Sequence, residues 1–144
     1  MITAVPLFTF LIAGTVTDIK KRTIPVILLV LSGATGILIS LTTGEAASGA
    51  LTDWFFGLLL GVVFIGISLI SDGKLGMGDA LAILVTGIFL GGKDAALAVL
   101  NAMMATSFVS IIILAVKKVS RKTELPFMPF LLFGCILQQT GAFI

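Results

Sequence analysis

Six long apolar stretches, separated by short polar segments, constrain what this chain can fold into. Apolar residues make up 58% of its 144 residues, and its mean hydropathy of +1.25 lies far above the range of soluble domains. We therefore expect an all-α, polytopic integral membrane protein that forms a single domain over residues 1–144. Its six transmembrane helices are predicted at about residues 2–20, 24–41, 50–70, 79–92, 95–116 and 125–144.

The positive charges are divided unevenly among the polar segments, and this predicts an orientation. Eight of the nine Lys and Arg residues follow the first, third and fifth apolar stretches, whereas Lys93 alone follows the fourth. Because cytoplasmic loops of membrane proteins carry the excess of positive charge, we expect residues 18–23, 71–78 and 117–124 to be cytoplasmic. Both termini are then expected on the outside.

A glycine-rich polar segment, residues 71–79, ends in Asp79, which leads directly into the fourth apolar stretch. A carboxylate at that place costs roughly 2.5 to 3.5 kcal/mol of insertion free energy even on lenient scales, so Asp79 is the first candidate functional residue. Gly76 and Gly78 leave the backbone free to adopt unusual conformations or to let another chain approach closely. Lys74, in the same segment, either contacts a substrate or is simply solvated.

Asp18 follows the first apolar stretch and is expected on the same membrane face as Asp79. Two carboxylates at one depth can share a single proton, so that one activates a water while the other polarises a carbonyl group. The alternative interpretations are a solvated loop residue for Asp18 and a helix N-cap for Asp79. The sequence has no His and a single cysteine, Cys135, so we expect no zinc site and a chemistry without metal or cofactor.

Prolines mark the starts of two predicted helices. Pro25 suits the first turn of the second helix, where its missing N–H has no partner to lose. Pro126 and Pro129 cannot both lie in the interior of an unbroken helix, so we expect irregular backbone at the entry to the sixth stretch. Irregular backbone at membrane depth is tolerated where protein or a water-filled cavity covers it, which makes this entry a candidate cavity wall.

Three motifs resemble those of known proteases. The sequence GMGD at residues 76–79 is similar to the GxGD signature of intramembrane aspartyl proteases. Asp18 followed by the Ile-Pro pair at residues 24–25 resembles the first-aspartate motif of type IV prepilin peptidases. Residues 125–131 are similar to the proline motif before the last helix of that family. The three motifs occur in the family's order and extend over nearly the whole chain.

The resemblance implies a function and a set of site residues. It implies a membrane-embedded aspartic endopeptidase of the inner membrane that removes the basic leader from pilin-like precursors at the cytoplasmic face, in type IV pilus assembly or protein secretion. The implied catalytic residues are Asp18 and Asp79. The implied supporting or substrate-contacting residues are Gly76, Gly78, Lys74, Pro25, Pro126 and Pro129.

The chain also departs from that family's usual pattern. Asn usually follows the first Ile-Pro pair and Lys usually lies two places after the second aspartate, but this chain has Val26 and Leu81 there. Substrate contacts that depend on those polar residues do not carry over. The cysteine-containing N-terminal insert of larger members, with which N-methylation is associated, is missing, so we expect a protease-only member.

Two other classes of function stay open from the residues alone. An ion- or proton-coupled transporter would use Asp18 and Asp79 to bind a cation or proton at a broken helix. A catalytically silent scaffold of a secretion or pilus machine would need neither carboxylate. The expected partners are the lipid bilayer and a pilin-like precursor, with no nucleic acid, and the oligomeric state is open.

Overall fold

The structure is a computed structural model that describes residues 4–21, 24–42, 51–71, 76–117 and 125–141. The expected all-α architecture is confirmed, because the described residues form helices and contain no strand. Their five helices are α1 (Ala4–Lys21), α2 (Val26–Thr42), α3 (Leu51–Ile70), α4 (Met77–Lys117) and α5 (Met128–Thr140).

Among the described residues five helices replace the predicted six, because the fourth and fifth apolar stretches form the single helix α4. The turn expected at residues 91–94 contracts to one residue, Gly91, whose φ of 78° and ψ of −179° interrupt the helix. Only glycine adopts this conformation readily. Helical structure resumes directly after Gly91. At its start the N–H of Lys93 donates a hydrogen bond to Oδ1 of Asp53 at 3.1 Å. We call the two parts of α4 the first arm and the second arm, residues 77–90 and 92–117.

The second arm runs antiparallel to α5. Near its start, Asp94 accepts a hydrogen bond from Gln138, which lies close to the end of α5. Further along the second arm, Ala98 packs against Gly134, which lies one turn earlier in α5. The second arm therefore returns toward the end of the bundle where α5 begins. Since the first arm starts at that same end, α4 folds back on itself at Gly91.

One predicted boundary is confirmed and one is wrong. Helix α1 ends at Lys21, close to the expected end at about residue 20. The sixth stretch is expected to be helical over residues 125–144, but α5 has only 13 residues and ends at Gly141, which adopts a left-handed φ of 62°. Its late start follows from the two prolines: residues 125–127 are not helical, as expected, and Pro129 lies in the first turn.

Helices α1, α4 and α5 supply most of the buried core, and α2 packs against α1 and α4. The largest fully buried apolar side chains on them are Leu7, Leu11, Ile83, Met128 and Leu131. By contrast, all five helices also expose large apolar side chains to their surroundings. Exposed apolar surface on this scale is unusual for soluble monomers and suits contact with lipid.

Helix lengths agree with this interpretation. Leu51–Ile70 and Met77–Val116 are each long and apolar enough to cross a membrane, and each contains an 18-residue window with a mean hydropathy of 2.2. Val26–Thr42 and Met128–Thr140 are apolar but shorter. Together with the exposed apolar surface and the composition, these helices indicate a membrane protein.

Among the described residues α3 packs on α4 and on no other helix. Gly57 lies against the backbone of Gly87, and Gly61 lies against Leu84. A Cβ atom at either glycine would overlap these neighbours, so the missing side chains are what let the two helices approach closely. Helix α3 thus follows the first arm and brings its own first turn, with Asp53, to the break in α4.

Candidate active site

Asp18 lies on the buried face of α1. It follows Leu11 by seven residues and Gly14 by four, so all three share one side of the helix, and it is only 6% exposed. The interpretation of Asp18 as a solvated loop residue is therefore wrong. The basic cluster beside it favoured a loop, but the apolar period of α1 extends through residue 18 and carries the carboxylate into the interior.

The backbone N–H of Met128 is donated to Oδ2 of Asp18 at 3.1 Å. Met128 is the first residue of α5, where N–H groups have no carbonyl partner within the helix. The start of a helix also carries partial positive charge, which favours a carboxylate. The sequence does not indicate this contact, although the two flanking prolines, Pro126 and Pro129, do signal that a helix start lies there.

Gly14 explains how α1 and α5 come close enough for this hydrogen bond. A Cβ atom on Gly14 would overlap Cε of Met128, so the Met128 side chain occupies the space that a side chain at position 14 would take. Met128 is fully buried there. Pro126 and Pro129 are half-buried on either side of it, so the proline-flanked segment lies beside Asp18.

Asp79 lies in the first turn of α4 and is half-buried. The helix starts from the carbonyl of Gly76, which accepts the N–H groups of Asp79 at 3.0 Å and of Ala80 at 3.1 Å. The carboxylate bends back toward that start, since a Cβ atom on Gly76 would lie 2.9 Å from Oδ2 of Asp79. Gly76 therefore leaves room for the Asp79 carboxylate.

Asp79 faces the interior of the bundle. It precedes Ala82 by three residues and Ile83 by four, and both belong to the buried core that α1 shares. Asp18 and Asp79 thus lie on inward faces at the same end of the bundle, because the start of α4 contacts Ile24, which follows the end of α1. Because the starts of α4 and α5 meet here, two helix N-termini face one pair of acids.

Gly78, the neighbour of Asp79, packs against the start of α2. A Cβ atom on Gly78 would lie 3.2 Å from Cδ1 of Ile24, which is tight for a carbon contact. The neighbouring Pro25 is exposed, and its carbonyl accepts the N–H of Leu28 at 3.0 Å to begin α2. The Ile-Pro pair therefore packs against the start of α4 through Ile24, while Pro25 shapes the helix start.

The structure thus brings together Asp18, Asp79 and the glycines and prolines of the three motifs. Lys74 lies outside the described residues, as do most of the basic residues on which the predicted orientation rests. Within the described part of the chain, no three His, Cys, Asp or Glu side chains group in a way that would hold a metal ion. The arrangement at this end is a pair of acids with two helix starts, an arrangement suited to activating a water.

Comparison with protein families gives one result. The model of the type IV leader peptidase family matches residues 5–116, which is most of the chain. The matched range includes both acids and ends before the proline-flanked start of α5. Comparisons with curated proteins and with solved structures give no match.

Proposed function

The chain belongs to the type IV leader peptidase family, as its motifs predicted, and from that premise we propose that it is an aspartic endopeptidase whose catalytic residues are Asp18 and Asp79. The family makes the protein a protease with a protein substrate. The single observation that supports the aspartic mechanism is the placement of two inward-facing carboxylates at one end of the bundle.

In the proposed mechanism the two acids share one proton. Two carboxylates that bind the same water do not both ionise cheaply. One therefore acts as general base toward that water, while the other, protonated, donates a hydrogen bond to the scissile carbonyl. The Met128 N–H fixes the orientation of Asp18. Gly76 leaves Asp79 free to turn toward its own helix start.

Helix lengths support a recess over the acids. Charged residues at the other end, Asp53, Lys93 and Asp94, mark a water boundary. Counted from that boundary, the first arm and α5 are each only about 20 Å long, against about 30 Å for the hydrocarbon core. Both helices therefore start about 10 Å inside the membrane, where irregular backbone requires protein cover or a water-filled cavity. Water and an extended peptide would reach the acids through that recess.

The proposed substrate is a pilin-like precursor, and the proposed site of cleavage is the cytoplasmic face of the inner membrane. The positive charges favour this face, because eight of nine lie in segments next to the acids' end of the bundle. In the proposed topology, with α4 folded back at Gly91, the chain would make six passes in alternating directions. A basic leader would then lie on the cytoplasmic side, and the apolar segment that follows it would lie beside the bundle.

The test is to co-express the protein with a short precursor that has a basic leader, a glycine and an apolar stretch of about 20 residues, the length of a membrane span. At equal membrane levels, Asp18→Asn and Asp79→Asn should both abolish leader removal, because each deletes one member of the pair. Asp94→Asn, which loses a carboxylate at the opposite end, is the matched control. Normal processing by either dyad variant would rule out the aspartic mechanism and leave a transporter or scaffold to be considered.

A further inference from the structure

The break in α4 leaves backbone groups that need partners. At Gly91 the helix stops and restarts within one residue, so the first N–H groups of the second arm have no carbonyl a turn earlier. Helices usually meet this need with an N-cap side chain of their own sequence, most often Ser, Thr, Asp or Asn. The residues before Lys93 are two glycines, which have no side chain to offer.

Asp53 of α3 meets the need from another helix. Its Oδ1 accepts the N–H of Lys93 at 3.1 Å, and its Oδ2 lies where a Cβ atom on Gly91 would be. The Asp53 backbone also lies close, because a Cβ atom on Gly92 would be 3.1 Å from its carbonyl oxygen. Asp53 belongs to the first turn of α3, so one carboxylate serves the N-termini of two helices.

Helix α3 holds Asp53 rigidly at that place. Gly57 and Gly61, one and two turns further along α3, lie against backbone atoms of the first arm at Gly87 and Leu84. Backbone contacts of this kind cannot give way as a flexible side chain can. The first arm and α3 therefore form one unit, and the Asp53 carboxylate is the contact by which that unit holds the second arm.

The second arm in turn determines where α5 lies. Gly134 of α5 lies against the backbone of the second arm at Ala98 and Ala102, and Gln138 donates a hydrogen bond to Asp94 at 3.1 Å. The N–H at the start of α5 binds Asp18. The first arm carries Asp79. The direction of the second arm relative to the first therefore affects how the two acids meet.

From these contacts we infer that Asp53 is a positioning residue for the Asp18–Asp79 pair: it caps the second arm in trans and so fixes the angle at Gly91. The catalytic consequence of this inference rests on the proposed function, but the capping geometry does not. Asp53 touches neither acid and lies at the opposite end of the bundle.

Two variants and two readouts test the inference. Asp53→Asn keeps an Oδ1 acceptor and should behave as the parent, whereas Asp53→Ala removes it. Misplacement of reacting groups by about 1 Å can cost about 100-fold in rate, so we expect Asp53→Ala to lower kcat by at least about tenfold with little change in KM. Asp94→Asn, which loses a charge at the same end but keeps an acceptor oxygen for Gln138, should keep kcat within about twofold.

The second readout is independent of activity. Spin labels at Val30→Cys on α2, which packs along the first arm, and Met104→Cys on the second arm would be measured on a Cys135→Ser background. Asp53→Ala should shift or broaden the distance between them, and Asp53→Asn should not. An unchanged distance, or an unchanged kcat, in folded Asp53→Ala protein would overturn the inference. A parent that cuts no precursor would overturn the proposed function, while the label distances still decide whether Asp53 sets the arms.

Discussion

The two ends of the bundle use the same contact for different purposes. At one end Oδ2 of Asp18 accepts the first N–H of α5, and at the other Oδ1 of Asp53 accepts an N–H at the start of the second arm, both at 3.1 Å. Both contacts join distant parts of the chain, across 110 and 40 residues. In each case a carboxylate from one helix caps another helix that has no capping side chain of its own.

The surroundings distinguish the two contacts. Asp18 is buried, and a second carboxylate, Asp79, lies half-buried at the same end of the bundle. Asp53 is exposed at the bundle end, and its neighbours are the glycines at the break. A capping carboxylate becomes a candidate for chemistry when it is shielded from water and paired with a second acid. A capping carboxylate that lies alone at the end of the bundle stabilises only the helix ends that it contacts.

The largest expected difference comes from making one substitution at both ends. Asp18→Asn should lower the rate of precursor cleavage by about 10² to 10⁴-fold, the usual contribution of general acid–base catalysis. Asp53→Asn should leave it near the parent rate, because its amide oxygen can still accept the Lys93 N–H. Rates would be measured on purified protein in lipid discs. Equal losses at the two ends would show that Asp53 also needs its negative charge, because both substitutions keep an acceptor oxygen.

A second difference concerns pH. Cleavage by the parent should give a bell-shaped profile, since rate falls at low pH when the base is protonated and at high pH when the acid has lost its proton. Asp53→Ala should lower the height of the bell without moving its limbs, because Asp53 takes no part in proton transfer. A shift of either limb in that variant would tie Asp53 to the chemistry.

Glycines provide the next comparison, in stability. Gly57→Ala should destabilise the fold by about 1 to 3 kcal/mol, because the new methyl group would overlap the backbone of Gly87. Gly14→Ala should cost less, since it meets the movable tip of Met128. Gly66, with nothing within 4 Å of a Cβ atom, is the control, and Gly66→Ala should add about 0.5 to 1 kcal/mol. Thermal unfolding in detergent would rank the three, and the reverse order would contradict the packing described.

The smallest expected effect is at Asp94. Asp94→Ala removes a solvent-exposed hydrogen bond that Gln138 donates, so the free energy of unfolding should fall by at most about 1 kcal/mol in the same assay. A loss as large as that of Asp53→Ala would mean that the Asp94 contact, and not the cap, holds the second arm against α5.

Much of the fold and of the candidate site could be predicted from sequence, because both depend on local patterns. The long apolar stretches predicted the helices, the cost of a carboxylate in lipid singled out Asp79, and the prolines predicted the irregular entry to α5. The break at Gly91 was predicted as a longer turn, since two glycines, a lysine and an aspartate are typical of one. Nothing near that turn indicates that Asp53, 40 residues away, supplies the missing cap. The Met128 N–H could not be predicted either, because a backbone group carries no residue signature.

The fold-back at Gly91 also determines how this part of the chain can enter a membrane. From Met77 to Val116 the chain has 40 mostly apolar residues, and only Lys93 and Asp94 are charged near its middle. One straight helix of that length would extend about 60 Å, twice the hydrocarbon thickness. In the proposed topology the two arms therefore insert together as a hairpin. Its tip would carry one cation and one anion across with no net charge, and the apolar arms on either side would drive the transfer.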